Sequence, residues 1–165
     1  MLQLPVLRII GGTSVDGPGL RTSIYIAGCR HNCPECHNPE SWSFDGGVLM
    51  SIDEIMLHVK NEGFDVTLTG GDPLFHVDEL LPLLVKLKEA EYNVWCYTGY
   101  TYEQVVSDKY LSRVLDYVDV LVDGRFEIDK RDISLQFRGS VNQRLIDVRR
   151  STISHIVLYD TVFNV

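Results

Sequence analysis

Along Thr22-Ser23-Ile24-Tyr25-Ile26-Ala27 strand-forming residues alternate in character, which predicts a strand. The period then lengthens. Ser51-Ile52-Asp53-Glu54 reads as a capping box, with serine at the N-cap and a carboxylate three residues on. Ile52, Ile55, Met56 and Val59 follow at helical spacing, and Gly63 suits the position just past the helix end. Phe64 to Thr69 is the next strand and runs into Gly70-Gly71-Asp72-Pro73. Asp78 can cap a second helix with the apolar set Leu80, Leu81, Leu84, Val85 and Leu87, in which Pro82 is tolerated only within about the first turn. Val94-Trp95-Cys96-Tyr97 is a short apolar strand ending at Thr98-Gly99-Tyr100. A helical stretch from Thr101 to Asp116 leads to a strand at Val118 to Val122, which ends at Asp123-Gly124-Arg125.

From Arg21 to Arg125 the order is therefore βαβαβαβ, which predicts a mostly parallel sheet with helical crossovers. Right-handed crossovers point every strand the same way. The loops that begin at Gly28, Gly70, Thr98 and Asp123 then share one edge, where open α/β sheets and barrels place their chemistry. The remainder reads differently. Asn38 to Leu49 is loop or turn, with Trp42 and Phe44 as cover for a core. Glu127 to Asp132 is charged loop, Phe137 to Arg144 is polar, and Leu145 to Val148 and Ile153 to Tyr159 are strand or tail.

The chain has 165 residues, 45% hydrophobic and 23% charged, which suits one compact domain over residues 1–165. A formal charge of −8 argues against nucleic acid as the partner. Met1 to Gly12 is apolar in parts, but Pro5 and Arg8 interrupt it and the layout is not that of a signal peptide. No run approaches the roughly 20 apolar residues of a membrane helix. A reducing cytoplasm is the default, and clustered cysteines there bind metal more often than they pair.

Three of the four cysteines, Cys29, Cys33 and Cys36, fall within eight residues in a Cys-x3-Cys-x2-Cys pattern that leaves the end of a strand. Thiolates suit iron–sulfur clusters, zinc or copper(I). Three of them can hold three irons of a cubane and leave the fourth iron open, as catalytic zinc sites leave a position open. Zinc remains an alternative at this point, with His31 or His37 as a fourth ligand. A disulfide with a free thiol would suit a secreted chain, to which nothing here points, and a redox dithiol at Cys33 and Cys36 leaves Cys29 without a role. Cys96 reads as a small core residue, His58 as solvated, and His76 as an ordinary loop histidine. Adjacent glycines at Gly70-Gly71, after a strand, let a ligand approach the backbone closely.

Five stretches carry a resemblance to a known family. Asp16-Gly17-Pro18-Gly19-Leu20-Arg21 precedes a strand and then Gly28-Cys29-x3-Cys33-x2-Cys36-x-Asn38. Thr69-Gly70-Gly71-Asp72-Pro73-Leu74 forms a second motif. Trp95-x-Tyr97-Thr98-Gly99-Tyr100 and Leu121-Val122-Asp123-Gly124-Arg125-Phe126 follow, as does Arg138-Gly139-Ser140-x-Asn142-Gln143. Together they resemble the radical S-adenosylmethionine superfamily. Within it the chain is similar to the glycyl-radical-enzyme activases, above all those serving the anaerobic ribonucleoside-triphosphate reductase.

The resemblance implies an incomplete β/α barrel and a [4Fe–4S] cluster on Cys29, Cys33 and Cys36. S-adenosylmethionine would chelate the fourth iron, with Gly70, Gly71 and Asp72 holding its amino group. Reductive cleavage would give a 5′-deoxyadenosyl radical that takes a hydrogen atom from a glycine of the reductase. Many members carry an aromatic residue before the third cysteine; here Glu35 stands there, and the backbone of Glu35-Cys36-His37 with the His37 ring is the expected neighbour of the adenine. The second motif usually ends in glutamate, one methylene longer than Asp72. Asp123 is a candidate for the carboxylate end of the cofactor, through a cation, or for the partner's glycine loop. The implied partners are the glycyl radical subunit and a low-potential electron donor such as flavodoxin, with no membrane involved. An activase for pyruvate formate-lyase and a zinc-binding interaction module are the rival readings.

Overall fold

Among the described residues seven strands pair into one sheet: β1 (Gln3–Thr13), β2 (Arg21–Ile26), β3 (Val48–Ser51), β4 (Asp65–Gly70), β5 (Val94–Tyr97), β6 (Val120–Asp123) and β7 (Arg144–Asp147). The order is β3-β1-β2-β4-β5-β6-β7. The computed structural model describes residues 2–34, 36 and 39–160. Parallel pairing joins β2, β4, β5 and β6, as the βαβ pattern predicts. The flanks are antiparallel: β1 against β2 and β3 on one side, β7 against β6 on the other.

The helices α1 (Ile52–Glu62), α2 (Val77–Glu89) and α3 (Tyr102–Ser107) lie between the parallel strands in sequence. In α1 the Ser51 side chain accepts from Glu54 N and the Glu54 carboxylate accepts from Ser51 N, so both halves of the capping box form. Gly63 closes the helix in the left-handed conformation at φ 76°. Ile52, Ile55, Met56 and Val59 are buried and pack with Ile24, Ile26, Val66, Leu68 and Val94 in the main core. Cys96 lies in that core, fully buried.

Because side chains alternate across a strand, the opposite face carries the remaining residues. It changes character across the sheet. Trp95, Val120, Val122 and Leu145 form a second apolar cluster covered by Phe137 and Tyr159, whose ring centroids lie 5.4 and 5.1 Å from that of Trp95. Toward β2 and β4 the same face is polar. There the Tyr25 hydroxyl donates to the Asp16 carboxylate at 2.7 Å and the Thr67 hydroxyl to Asp16 O at 3.0 Å, which seats the Asp16–Gly19 turn.

The structure corrects several sequence readings. β1 lies in a stretch to which the sequence assigned no element, and β3 begins at Val48 inside the segment read as loop. Asp78 does not cap α2; that helix continues from a 3-10 turn at Pro73–His76, and Asp72 caps the turn through Leu74 N at 2.9 Å. Pro82 therefore sits in the second turn, where the carbonyl it leaves unpaired belongs to exposed Asp78. Leu83 is fully buried while Leu81 and Val85 are only partly so. The helix over Thr101–Asp116 breaks at Asp108, whose carboxylate accepts from Tyr110 N and Leu111 N and starts a separate 3-10 turn. The stretch near the end is tail: Leu158 makes an isolated bridge to Ile146. Among the described residues no helix is long and apolar enough to cross a membrane.

Candidate metal centre

The cysteine loop leaves the C-terminal end of β2 through Ala27 and Gly28. Gly28 has φ 106°, and a Cβ there would meet the Phe44 ring at 2.7 Å and His76 Nε2 at 3.0 Å. Its N–H donates to Ser41 O at 2.7 Å, and Cys29 N–H donates to Trp42 O at 3.1 Å. The aromatic segment after the cysteines thus folds back against the start of the loop. His76 braces the same point, with Nε2 2.7 Å from Ala27 O, and is a structural residue. Asn32, at φ 53°, turns the chain between the first two cysteines, and Cys36 N–H donates to Cys33 O at 3.2 Å.

Cys29, Cys33 and Cys36 are half-buried free thiols that line one cavity of about 570 Å³. Gly70, Gly71, Gly99 and Gly124 line it too, so the ends of β4, β5 and β6 meet the cysteine loop as predicted. Burial pushes the Cys29 thiol up to about 11, outweighing a hydrogen bond from the His31 backbone. Burial also raises Cys33, opposed by a hydrogen bond from the Phe126 backbone and by the charge of Arg125. Burial thus favours the protonated form of Cys29 and Cys33 in the metal-free chain, and loading a metal on them releases protons.

The donor set fits a cubane. One loop supplies three thiols facing an open cavity, and the remaining cysteine, Cys96, is sealed in the core. One ring nitrogen of His31, Nε2, is engaged 2.6 Å from Asp72 Oδ2. Among the described residues no three His, Cys, Asp or Glu side chains converge on the position of a single metal ion. Glu35 and His37, expected near the adenine, lie outside the described residues.

The glycines of the second motif are fixed by contact. Gly70, at φ 104°, has its missing Cβ directed into the Ile26 backbone. A Cβ on Gly71 would lie 2.5 Å from Gly28 O and 2.7 Å from Ser41 O. Asp72 is held by the protein's own donors. It is 1% exposed and is not among the residues that line the cavity, with Oδ1 accepting from Leu74 N and Oδ2 from His31, from the Thr98 hydroxyl at 2.9 Å and from Gly99 N at 2.9 Å.

Asp123 is likewise engaged. Its carboxylate takes Arg144 N and Nε on Oδ1, and Arg144 Nη2 and Tyr102 N on Oδ2, at 2.6 to 3.2 Å, and it is fully buried. It pins β7 and the start of α3 and does not reach into the cavity. The Arg138–Gln143 stretch acts as a latch. Gln143 accepts from Gly139 N and Ser140 N and donates to Gly124 O, while Asn142 donates to Arg125 O. That latch carries Arg125, Phe126 and Arg138 to the cavity wall. Sequence reasoning assigned none of these three to the site, nor Thr98, and weighed His31 only as a zinc ligand. The available signals were their places: His31 between two cysteines, Thr98 at a strand end, and the arginines inside quoted motifs.

The family model described as a 4Fe-4S single cluster domain matches residues 15–146. The anaerobic ribonucleoside-triphosphate reductase-activating protein of Pasteurella multocida is 40% identical over 143 residues, covering 78% of this chain and 88% of that protein. Its counterpart in Enterobacteria phage T4 is 37% identical over 146 residues, covering 84% and 90%. Among solved structures, QueE from Escherichia coli superposes with a TM-score of 0.53 at 21% identity, over 60% of this chain and 54% of QueE, a likeness of fold.

Proposed function

The chain belongs to the anaerobic ribonucleoside-triphosphate reductase-activating proteins and carries their 4Fe-4S domain, and from that premise we propose that it installs a glycyl radical on such a reductase. One observation carries the reading: three half-buried thiols from a single loop open onto a cavity floored by glycine-bearing strand ends. Cys29, Cys33 and Cys36 would hold the cluster, with S-adenosylmethionine beside it in the cavity. When bound, the cluster and S-adenosylmethionine supply a one-electron cleavage of the sulfonium whose radical product takes a hydrogen atom from a glycine of the reductase.

The chain's own residues position and exclude. The backbone at Gly70 and Gly71 offers acceptors to the methionine amino group, since the Asp72 carboxylate is already met by four donors. Glu35, Cys36 and His37 are assigned to the adenine side. The aromatic wall of Tyr97, Phe126 and Phe137 keeps water from the radical. In this reading residues 1–165 form one catalytic unit, the sheet curls as an incomplete barrel, and its open side admits the reductase's glycine loop. A low-potential donor of flavodoxin type supplies the electron, in a reducing cytoplasm where open thiols survive.

The test is anaerobic reconstitution with iron and sulfide, reduction, and addition of S-adenosylmethionine and a class III reductase. The expected result is 5′-deoxyadenosine together with a glycyl radical signal on the reductase. A protein holding one zinc and giving neither product would overturn the proposal.

A further inference from the structure

Cys29 lies between two points at which one residue grips the loop. On its N-terminal side, Gly28 O accepts from the Asp72 backbone N–H at 2.8 Å. Two residues past the cysteine, the His31 ring meets the Asp72 carboxylate at 2.6 Å, with both side chains buried. An ionised carboxylate only accepts, so the shared proton sits on His31 Nε2. The ring is wedged as well as bonded. Its centroid is 5.1 Å from that of Phe75 and 4.7 Å from that of Tyr100, and a Cβ on Gly99 would fall 2.5 Å from it. Through Thr98 and Gly99 the same carboxylate also ties in the end of β5. Three strand-end loops therefore meet at one buried side chain that is not among the residues lining the cavity.

We propose that Asp72 and His31 are a positioning pair that presets the cysteine loop for its cluster, and that Asp72 is not a ligand of the cofactor. This rests on the cluster reading above. The backbone of His31, held by its ring, hydrogen-bonds the Cys29 sulfur, so the pair bears on both the position and the electronic environment of that ligand. The geometry also accounts for aspartate in place of glutamate. His31, Thr98 and Gly99 all stand within 3 Å of Oδ2, and one more methylene would drive the carboxylate into them.

The experiment uses the full chain reconstituted with iron and sulfide. It compares the parent with His31→Leu, His31→Gln, Asp72→Asn, Asp72→Glu and the His31→Leu/Asp72→Asn double variant. Leucine keeps the apolar contacts with Phe75 and Tyr100, so that variant folds. Three quantities are read: cluster release to a chelator, the electron paramagnetic resonance spectrum of the reduced cluster, and S-adenosylmethionine affinity per loaded cluster.

His31→Leu, Asp72→Asn and Asp72→Glu should release the cluster about tenfold faster with altered spectra, the scale seen when outer partners of metal ligands are removed. The double variant should be no worse than either single change. His31→Gln, whose amide N–H can take the place of Nε2, should stay near the parent. Affinity per loaded cluster should be unchanged throughout. Parental cluster release by Asp72→Asn with a tenfold loss of affinity would make Asp72 a ligand and overturn the proposal. Parental behaviour of His31→Leu would also overturn it. A parent chain that takes up no cluster would instead overturn the activase reading beneath it.

Discussion

At the N-terminal ends of the parallel strands polar groups close on one another, whereas at the C-terminal ends of the same strands they face a cavity. The first rim is held by Arg21, buried, with Nε on the Thr67 hydroxyl at 2.9 Å and Nη2 on Val66 O and on the Asn93 carbonyl and side chain at 2.8 to 3.1 Å. Its guanidinium also lies 5.5 Å from the Trp95 ring centroid. Beside it Asp119 accepts from Lys88, Val94 N and Arg149. The second rim has positive-φ glycines at Gly28, Gly70 and Gly124 and three free thiols. Arg138 Nε and Asn142 Oδ1 lie there buried and without partners among the described residues. Two hydroxyls within β2, on Thr22 and Ser23, share that condition. The difference teaches a division of labour: one rim supplies stability, and the other keeps donors and space for a ligand at a cost the first can offset.

Substitutions should separate the rims. The largest effect is expected from serine at Cys29, Cys33 or Cys36: loss of the cluster and of reductase activation, with the melting temperature of the metal-free chain nearly unchanged. Cys96→Ser should do the reverse, keeping iron content while costing about 1–2 kcal/mol for a buried hydroxyl in an apolar core. Gly71→Ala breaks the division, because its Cβ strikes the backbone at Gly28 and Ser41. A loss of about 3 kcal/mol in denaturant titration, with poor cluster uptake, is expected there. Arg21→Met should cost about 2 kcal/mol by removing the guanidinium's hydrogen bonds to the Thr67 hydroxyl, Val66 O and Asn93, with full cluster uptake. Cluster loss in that variant would show that the rims are not independent.

The smallest effect concerns Asp119. Burial raises its pKa, but hydrogen bonds from Lys88, Val94 N and Arg149 outweigh that and leave it below the usual carboxylate value. A depressed carboxylate stabilises the fold above its unfolded pKa, and that contribution is lost as pH falls through the folded value. Asp119→Asn should therefore cost about 1 kcal/mol near neutral pH. The gap from the parent should close as melts are taken below pH of about 4. A constant gap would mean that the group acts through packing alone.

What was legible in the sequence follows the same line. The parallel strands and α1 were readable because burial on one face imposes a clean period and the Ser51 box and Gly63 mark the ends. β1 was hidden by Pro5 and by register shifts between Val6 and Arg8 and between Ile10 and Thr13, which break the alternation. β3 has only four residues, with Val48 and Leu49 exposed at the sheet edge, so it carries no burial pattern. In the site, the thiols and Gly70-Gly71 declare themselves by spacing. The inward turn of Asp72 and Asp123 does not, because it depends on partners 41 and 21 positions away in the chain.

The mixed sheet has a kinetic consequence. In its β3-β1-β2 portion the β1–β2 pair closes across residues 14–20, whereas β4, β5 and β6 join only after longer connections that include helices and cost more chain entropy. Pulsed hydrogen exchange during refolding should then find β1 and β2 amides protected before those of β5 and β6. The cysteine loop is spanned between β2 and β3, and the Gly28–Ser41 bond draws its ends together within the early half. The late half supplies the glycine floor and the Asp72 grip. Between the two events the thiols stand on a closed loop with no pocket behind it, and that interval is when iron, zinc and oxygen compete for them on the most equal terms.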